Sequence, residues 1–476
     1  MEQVKYLLNH ENISFTAIND SIKVTNPATK EILAYVKKSD ETSLTDIIKN
    51  ANLAFKSWSV ALASFRSDIL MKWYELVIQN RANLARLMTL EQGKSLNEAS
   101  GEIAYAASFI KWFAAQTLRN DGDILTSVKK DEKLLVVKQP IGVCAAITPW
   151  NFPAAMITRK AAPALGAGCA MIVKPASQTP LSAYALASLA YAAGIPKDLF
   201  VIISGDAGMI STAFADSKII RKISFTGSTE VGIKIYEKSA KTIKKLSLEL
   251  GGNAPFIVFD DADLDKAVDG VMASKFRNSG QTCVCANRIY AQSGIYDEFC
   301  AKLNIAIKSL KLGNGLENGV NQGPLIDENA LKKVEEHIND ALKKGAKCLS
   351  GGKRSSLGGT FFEPTLLSDA TKDMLVAREE TFGPLCPVFK FKSDDEVIEA
   401  ANDTDFGLAS YIFTNDPKRQ WKVSESLEYG MVGVNTGLIS NEVAPFGGVK
   451  FSGLGREGSR YGMDEYTEQK YICLNL

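Results

Sequence analysis

Histidine is almost missing from this chain. Only two occur among 476 residues, His10 and His337. That scarcity makes a Ser–His or Cys–His engine a poor fit and leaves little for a zinc or copper site. Acid–base work near neutral pH then falls to a carboxylate or a lysine. His10 lies near the N-terminus. His337 sits in Lys332-Lys-Val-Glu-Glu-His-Ile-Asn-Asp-Ala-Leu, a highly charged helical pattern that reads as a solvated face.

An excess of one charge is missing too. The net charge is +1, which gives a nucleic-acid or membrane-surface role no electrostatic support. The start, Met1-Glu-Gln-Val-Lys-Tyr-Leu-Leu-Asn-His10, lacks the basic-then-apolar form of a signal peptide. The longest uncharged run, Ile141 to Thr158, contains Pro149, Asn151 and Pro153, which argues against a membrane span. Cysteines are sparse and scattered, at positions 144, 169, 283, 285, 300, 348, 386 and 473. Such a distribution is no disulfide scaffold and implies a reducing, cytoplasmic compartment, and the six cysteines other than Cys283 and Cys285 read as small apolar packing residues. No internal repeat or low-complexity segment is evident.

What is present is ordinary in bulk, with 46% apolar and 23% charged residues, and the length predicts two or more domains. Residues 14 to 36 read as short strands with turns at Asn19-Asp20 and Asn26-Pro27. From Ser43, a plausible cap, to about Arg119 the pattern is helical. Ile124 to Lys138 reads as a hairpin, which should rest on something else, such as another subunit. Then apolar runs alternate with helical stretches. The runs are Gly142–Thr148, Ala170–Lys174, Leu199–Ser204, Ile219–Phe225 and Leu246–Leu250. This alternation predicts a parallel, doubly wound sheet, which binds ligands beyond the carboxyl ends of its strands. A second α/β region follows, with a strand at Pro255–Phe259, a helix from Asp263 to Arg277, and further elements to about Phe451. The tail ends in a strand-like Lys470-Tyr-Ile-Cys-Leu.

Two stretches carry chemistry. Asn278-Ser-Gly-Gln-Thr-Cys-Val-Cys-Ala-Asn-Arg288 is a polar, glycine-bearing loop between regular elements, and a thiol there is placed to react. Cys283 is the candidate nucleophile. Glu249 follows an apolar strand and precedes Gly251-Gly252, where a carboxylate could be a buried base with a raised pKa or a structural group bonded to amides. Thr226-Gly227-Ser228 follows another strand and opens a helix, a setting that suits a pyrophosphate, although the spacing is not G-x-G-x-x-G and an ordinary βα turn is the commoner reading.

Seven motifs, in order, resemble the aldehyde dehydrogenase superfamily. They are Thr148-Pro-Trp-Asn-Phe-Pro153, Val173-Lys-Pro175, Phe225-Thr-Gly-Ser228, Leu248-Glu-Leu-Gly-Gly-Asn253, Gly280-Gln-Thr-Cys283, Glu379-Glu-Thr-Phe-Gly-Pro384 and Pro445-Phe-Gly-Gly-Val-Lys450. Phe276-Arg-Asn278, Cys283-Val-Cys285 and Gly437-Leu-Ile-Ser440 are similar to the succinate-semialdehyde dehydrogenase branch, and to its bacterial, NADP-using members. The resemblance implies an α/β fold with three parts. A Rossmann-type cofactor domain covers 1-121 and 140-251, and an α/β catalytic domain covers 252-451. A small oligomerisation hairpin and sheet covers 122-139 and 452-476. A homodimer or homotetramer follows.

The same resemblance implies the roles. The Cys283 thiolate attacks the aldehyde to give a thiohemiacetal. The Asn151 amide and the Cys283 N–H stabilise the oxyanion. Hydride passes to the nicotinamide, and Glu249 deprotonates the water that hydrolyses the thioester. Lys174 matches a ribose-binding lysine, Glu380 the glutamate on the nicotinamide ribose, and Phe382 its neighbour. Trp150, Thr226, Gly227 and Ser228 match pyrophosphate-side positions. Ser177 stands where NAD-preferring relatives often carry a glutamate. Serine removes the repulsion of a 2′-phosphate and can donate to it, so NADP is the expected cofactor, with NAD accepted less efficiently.

Arg159, Arg277 and Ser440 match a site for a substrate's far carboxylate, which a guanidinium fork suits. From spacing alone either arginine fits an ion-pair or surface role as well. The expected reaction is oxidation of succinic semialdehyde to succinate, or of another carboxylate-terminated aldehyde such as glutaric semialdehyde. A Cys–Glu thioester hydrolase without nicotinamide is disfavoured by Lys174, Ser228 and Glu380. A non-catalytic family member could have lost Cys283, Glu249 or Asn151, and all three are present. Cys285 is the candidate redox partner of Cys283. Some relatives pair these residues reversibly and others keep them reduced, and both readings stand.

Overall fold

The computed structural model describes residues 1–475; Leu476, the last residue of the expected oligomerisation segment, lies outside the described residues. The first large sheet has six strands, in the spatial order Gly453–Leu454, Lys245–Glu249, Ile220–Thr226, Val143–Ile147, Ala170–Lys174 and Phe200–Ile202. All pairs are parallel except Gly453–Leu454, which runs antiparallel along Lys245–Glu249. Helices Ala155–Ala167, Leu181–Ala193, Ala207–Asp216 and Thr229–Ser239 connect the parallel strands. Ala170–Lys174 is buried at every residue, and Ile220–Thr226 at all but Arg221. Burial on both faces is why these strands read as continuous apolar runs. Val143–Ile147 lies between Ala170–Lys174 and Ile220–Thr226, so the strand order reverses beside it. Such a reversal opens a ligand crevice at the carboxyl ends. Here those ends are Trp150-Asn151 and Thr226-Gly227-Ser228.

The second large sheet has seven strands, Lys347–Ser350, Thr365–Ala370, Leu385–Phe391, Ala286–Gln292, Ala254–Val258, Ala409–Phe413 and Met431–Val434 in spatial order. Only Lys347–Ser350 pairs antiparallel. Both faces are covered. Phe256 and Val258 join one apolar cluster, and Ile257 and Phe259 join another, as the two-residue alternation of a strand requires. The fold is therefore α/β, with two mostly parallel sheets. No helix among the described residues is long and apolar enough to cross a membrane.

The hairpin strands Asp123–Leu125 and Glu132–Pro140 do pair, and their support comes from the chain's own tail. Thr467–Asn475 runs antiparallel along the whole of Glu132–Pro140.

Four expectations change. Ser43 does not cap its helix; Asp40 does. Asp40 Oδ1 accepts from Ser43 N at 2.8 Å, and Ser43 Oγ accepts from Asp40 N at 3.0 Å. An acidic cap is also favoured by the helix dipole. The helix expected to reach Arg277 is Leu264–Lys275, capped by Asp263, and Arg277 begins a separate 3-10 turn. His337 is buried rather than solvated. Val334, His337, Ile338 and Ala341 share the inner face of Glu328–Lys343, and the ring lies 3.0 Å from Thr381 Oγ1. Burial lowers its pKa, and nearby Lys333 adds to the effect. Finally, Cys348 and Cys473 are exposed, so they do not pack as core residues, whereas Cys144, Cys169, Cys300 and Cys386 are buried.

Candidate active site

The Cys283 loop is held in an unusual backbone path. Asn278 and Ser279 have φ of 51° and 55°, and Gly280 has φ of 75°. Non-glycine residues in this region cost roughly 1–3 kcal/mol each and persist where the surroundings over-determine them. The surroundings do so here. Asn278 N donates to Glu98 Oε1 at 2.7 Å, and Asn278 Nδ2 donates to the Asn151 carbonyl at 3.1 Å. Gln92 Nε2 donates to Asn278 Oδ1 at 3.0 Å, and Ser279 Oγ donates to the Gly323 carbonyl at 3.0 Å. A Cβ added at Gly280 would lie 2.1 Å from the Gly383 carbonyl oxygen. The glycine pair after Glu249 has the same logic, because a Cβ at Gly252 would lie 2.6 Å from the Cys283 carbonyl oxygen.

Cys283 is half-buried and opens on a cavity of about 220 Å³. Asn151, Trp150, Thr226, Gly227, Ser228, Glu380 and Phe382 line the same space. Asn151 Nδ2 donates to the Gln281 carbonyl at 3.0 Å, which ties this amide to the thiol loop. Burial pushes the Cys283 thiol up to about 12, and the Arg159 charge only partly offsets that. At rest the group is a thiol.

Glu249 ends the strand Lys245–Glu249, and both its carboxylate oxygens are buried without a hydrogen bond. Burial lifts its pKa well above the ordinary range, and the Glu457 charge adds to this, while Arg159, Lys160 and Arg456 oppose it. Glu249 is not among the residues lining the Cys283 cavity, and a Cβ at Gly447 would lie 2.9 Å from its Oε1. Two residues the sequence reading missed stand beside it. Glu457 pairs with Arg159 through one oxygen and with Lys160 through the other, and Lys160 Nζ also donates to Thr226 Oγ1 at 2.8 Å. Burial would raise the Glu457 carboxyl, but the two cations outweigh it and hold it well below the usual carboxylate range.

The remaining cofactor candidates gather at the sheet's carboxyl edge. Lys174 ends its strand with Nζ donating to the Pro175 carbonyl at 3.2 Å, and Ser177 is half-buried three residues on. Ser228 caps helix Thr229–Ser239 by accepting from Val231 N at 3.4 Å. That helix N-terminus faces the crevice, where an anion is favoured. Trp150 and Phe382 meet edge-on with centroids 5.6 Å apart. Glu380 accepts from Gly252 N at 3.3 Å, and burial raises its pKa to about 7. A buried carboxyl, a helix N-terminus and a buried lysine around one crevice fit a nicotinamide dinucleotide.

The substrate candidates divide. Arg277 and Ser440 line a second cavity of about 830 Å³, together with Phe152 and Tyr105. The Arg277 guanidinium stands 4.7 Å over the Phe152 ring, and Phe152 follows Asn151 in the chain. Arg159 is not on that cavity. It is 2% exposed, paired with Glu457 and 4.1 Å over the Phe446 ring. Cys285 Sγ donates to the Lys275 carbonyl at 3.5 Å, and neither Cys283 nor Cys285 is in a disulfide.

Comparison with known proteins agrees with this geometry. The aldehyde dehydrogenase family profile matches residues 15–472. A glutarate-semialdehyde dehydrogenase of Pseudomonas aeruginosa is 60% identical, over 95% of this chain and 94% of its own. An NADP-dependent succinate-semialdehyde dehydrogenase of Escherichia coli is 58% identical, over 96% of this chain and 95% of its own. A crystal structure of an NADP-dependent enzyme from E. coli superposes with a TM-score of 0.95 at 58% identity, covering 96% of this chain and 95% of that one. The chain belongs to the aldehyde dehydrogenase family.

Proposed function

We propose that this enzyme oxidises succinic semialdehyde to succinate with NADP. The observation that carries this reading is the placement of Arg277 and Ser440 on one cavity whose wall, Phe152, adjoins Asn151 at the thiol. A guanidinium and a hydroxyl there suit a carboxylate at the far end of a short aldehyde. Arg159, committed to Glu457, acts on the site through its charge on Cys283 and Glu249.

Cys283 attacks the aldehyde carbon to give a thiohemiacetal, after losing the proton that its buried resting state retains. Asn151 uses one N–H on Gln281 and has a second to offer the oxyanion, an effect worth about 3–4 kcal/mol per donor in other enzymes. Bound NADP would supply the hydride acceptor, with Glu380, Phe382 and Trp150 at the nicotinamide end, Thr226, Gly227 and Ser228 near the pyrophosphate, and Lys174 and Ser177 at the adenosine ribose. Glu249 then takes the proton of the water that hydrolyses the thioester, and its raised pKa suits it to that work near neutrality.

Glutaric semialdehyde is the second reading, supported by the P. aeruginosa relative. One methylene shifts discrimination by only about 1–3 kcal/mol. The test is kcat/KM for succinic semialdehyde, glutaric semialdehyde and butanal with NADP and with NAD, repeated in Arg277→Ala. Arg277→Ala should lose far more on the two semialdehydes than on butanal. Equal losses would overturn carboxylate recognition. A homodimer or homotetramer built on segments 122-139 and 452-476 is part of the same proposal. Ile124 and Val128, 81% and 97% exposed in the hairpin, support it.

A further inference from the structure

Tyr105 carries a buried hydroxyl that makes no hydrogen bond among the described residues. It projects from helix Leu96–Thr117, on the face formed by Glu98, Gly101, Glu102 and Tyr105. Those positions follow helical spacing, and all four line the 830 Å³ cavity that holds Arg277 and Ser440. The tyrosine ring is set edge-on against Phe109, with centroids 4.8 Å apart. Arg159 and Ser440 stand close enough to the phenol to act on it as hydrogen-bonding neighbours, with the Arg277 charge nearby, yet neither meets it in the geometry of a made hydrogen bond. Buried polar groups in native proteins nearly always find a partner. A hydroxyl without one, on a side chain that lines a cavity, is available to a ligand acceptor.

We propose that Tyr105 is a specificity-determining residue whose hydroxyl donates to the terminal carboxylate of the substrate, joining Arg277 and Ser440 as a third donor. The proposal rests on the carboxylate-aldehyde reading above. A carboxylate only accepts hydrogen bonds, so a ring of donors complements it. Burial keeps the phenol protonated well past neutral pH, which keeps it a donor. An aldehyde without the carboxylate leaves the hydroxyl unpaired, and sites built around such groups reject analogues that lack the matching atom.

The test is Tyr105→Phe, assayed with succinic semialdehyde and with butanal, alongside thermal unfolding of the free enzyme. KM for succinic semialdehyde should rise about tenfold, equivalent to about 1.4 kcal/mol, with kcat nearly unchanged. KM for butanal should not move. The variant should be at least as stable as the parent, because it removes a buried hydroxyl that has no partner in the free protein. Equal rises on both substrates, or a variant that is less stable or fails to fold, would make the hydroxyl structural and overturn the proposal. A parent enzyme with no preference for succinic semialdehyde over butanal would sink the functional reading and this proposal together. A parent that has the preference, beside a Tyr105→Phe that keeps it, sinks this proposal alone.

Discussion

Arg159 and Glu457 form a buried ion pair beside Glu249, and the next residue, Lys160, takes the other oxygen of the same carboxylate. One anion therefore neutralises two buried cations. Removing one partner of a buried pair leaves an uncompensated charge and costs about 3–5 kcal/mol. Glu457→Ala should lose at least that much stability in denaturant unfolding. A loss below about 1 kcal/mol would mean that Arg159 and Lys160 find other partners. The variant should also lower the Glu249 pKa, because the Glu457 charge is one of the causes that raises it.

The resting state of Cys283 sets a second expectation. Burial places its thiol at about 12, so the free enzyme holds very little thiolate at pH 7. Alkylation by iodoacetamide should therefore be slow at neutral pH and rise about tenfold per pH unit above it, until the thiol titrates. The sign for stability follows from the same shift. The fold favours the protonated thiol, so its contribution is full below the ordinary thiol value of about 8.5 and is lost as pH rises toward 12. Cys283→Ala, measured by the same titration, separates this thiol from the other seven. An alkylation rate already flat between pH 7 and 9 would show a thiolate at rest.

The parts legible in sequence were those with local pattern. The central strands are buried on both faces, so they announce themselves as apolar runs, and the strand ends at Trp150, Lys174, Ser228 and Glu249 follow directly. The glycines after Glu249 were read only as neighbours of a candidate base. They are contact points, because Gly252 packs on the Cys283 carbonyl. Glu457 gave no signal, since Gly455-Arg-Glu-Gly458 resembles a solvated turn. Its meeting with Lys160 depends on the tail folding back across a helix nearly three hundred residues earlier. His337 was readable from its spacing with Val334 and Ala341, but the charged residues around it hid the inner face. Tyr105 shared a helix face with Glu98 and Glu102 and was read simply as part of a helical stretch.

Glu249 carries a third prediction. Its raised pKa means the carboxyl is protonated at acid pH and becomes a base only as pH rises above the ordinary carboxylate range. The acid limb of kcat should therefore lie well above pH 4.5 and should vanish in Glu249→Gln. That variant keeps the shape and lacks the base. Its first turnover should still give a burst of reduced-nicotinamide absorbance, while the steady-state rate falls about 10²–10⁴-fold. Loss of the burst together with the steady state would place Glu249 at an earlier step. In stability the same shift works in the opposite sense from a salt-bridged carboxylate. The fold favours protonated Glu249, and that contribution disappears as pH rises through its folded value.

The proposed preference for NADP rests on Ser177. It lies half-buried in the loop after Lys174, at the edge where the adenosine ribose of a dinucleotide would sit. A serine there offers a hydroxyl and no charge, and Lys174 supplies a cation close by. Ser177→Glu would put a carboxylate against the 2′-phosphate of NADP, while offering an acceptor to the free 2′-hydroxyl of NAD. The ratio of kcat/KM for NADP to that for NAD should fall by at least tenfold, about 1.4 kcal/mol, chiefly through KM for NADP. Activity with NAD should be kept or improved, because the thiol site is built from other loops. An unchanged ratio would show that position 177 does not meet the ribose, and would move the search for the phosphate contact to Lys174 and the start of helix Ala207–Asp216.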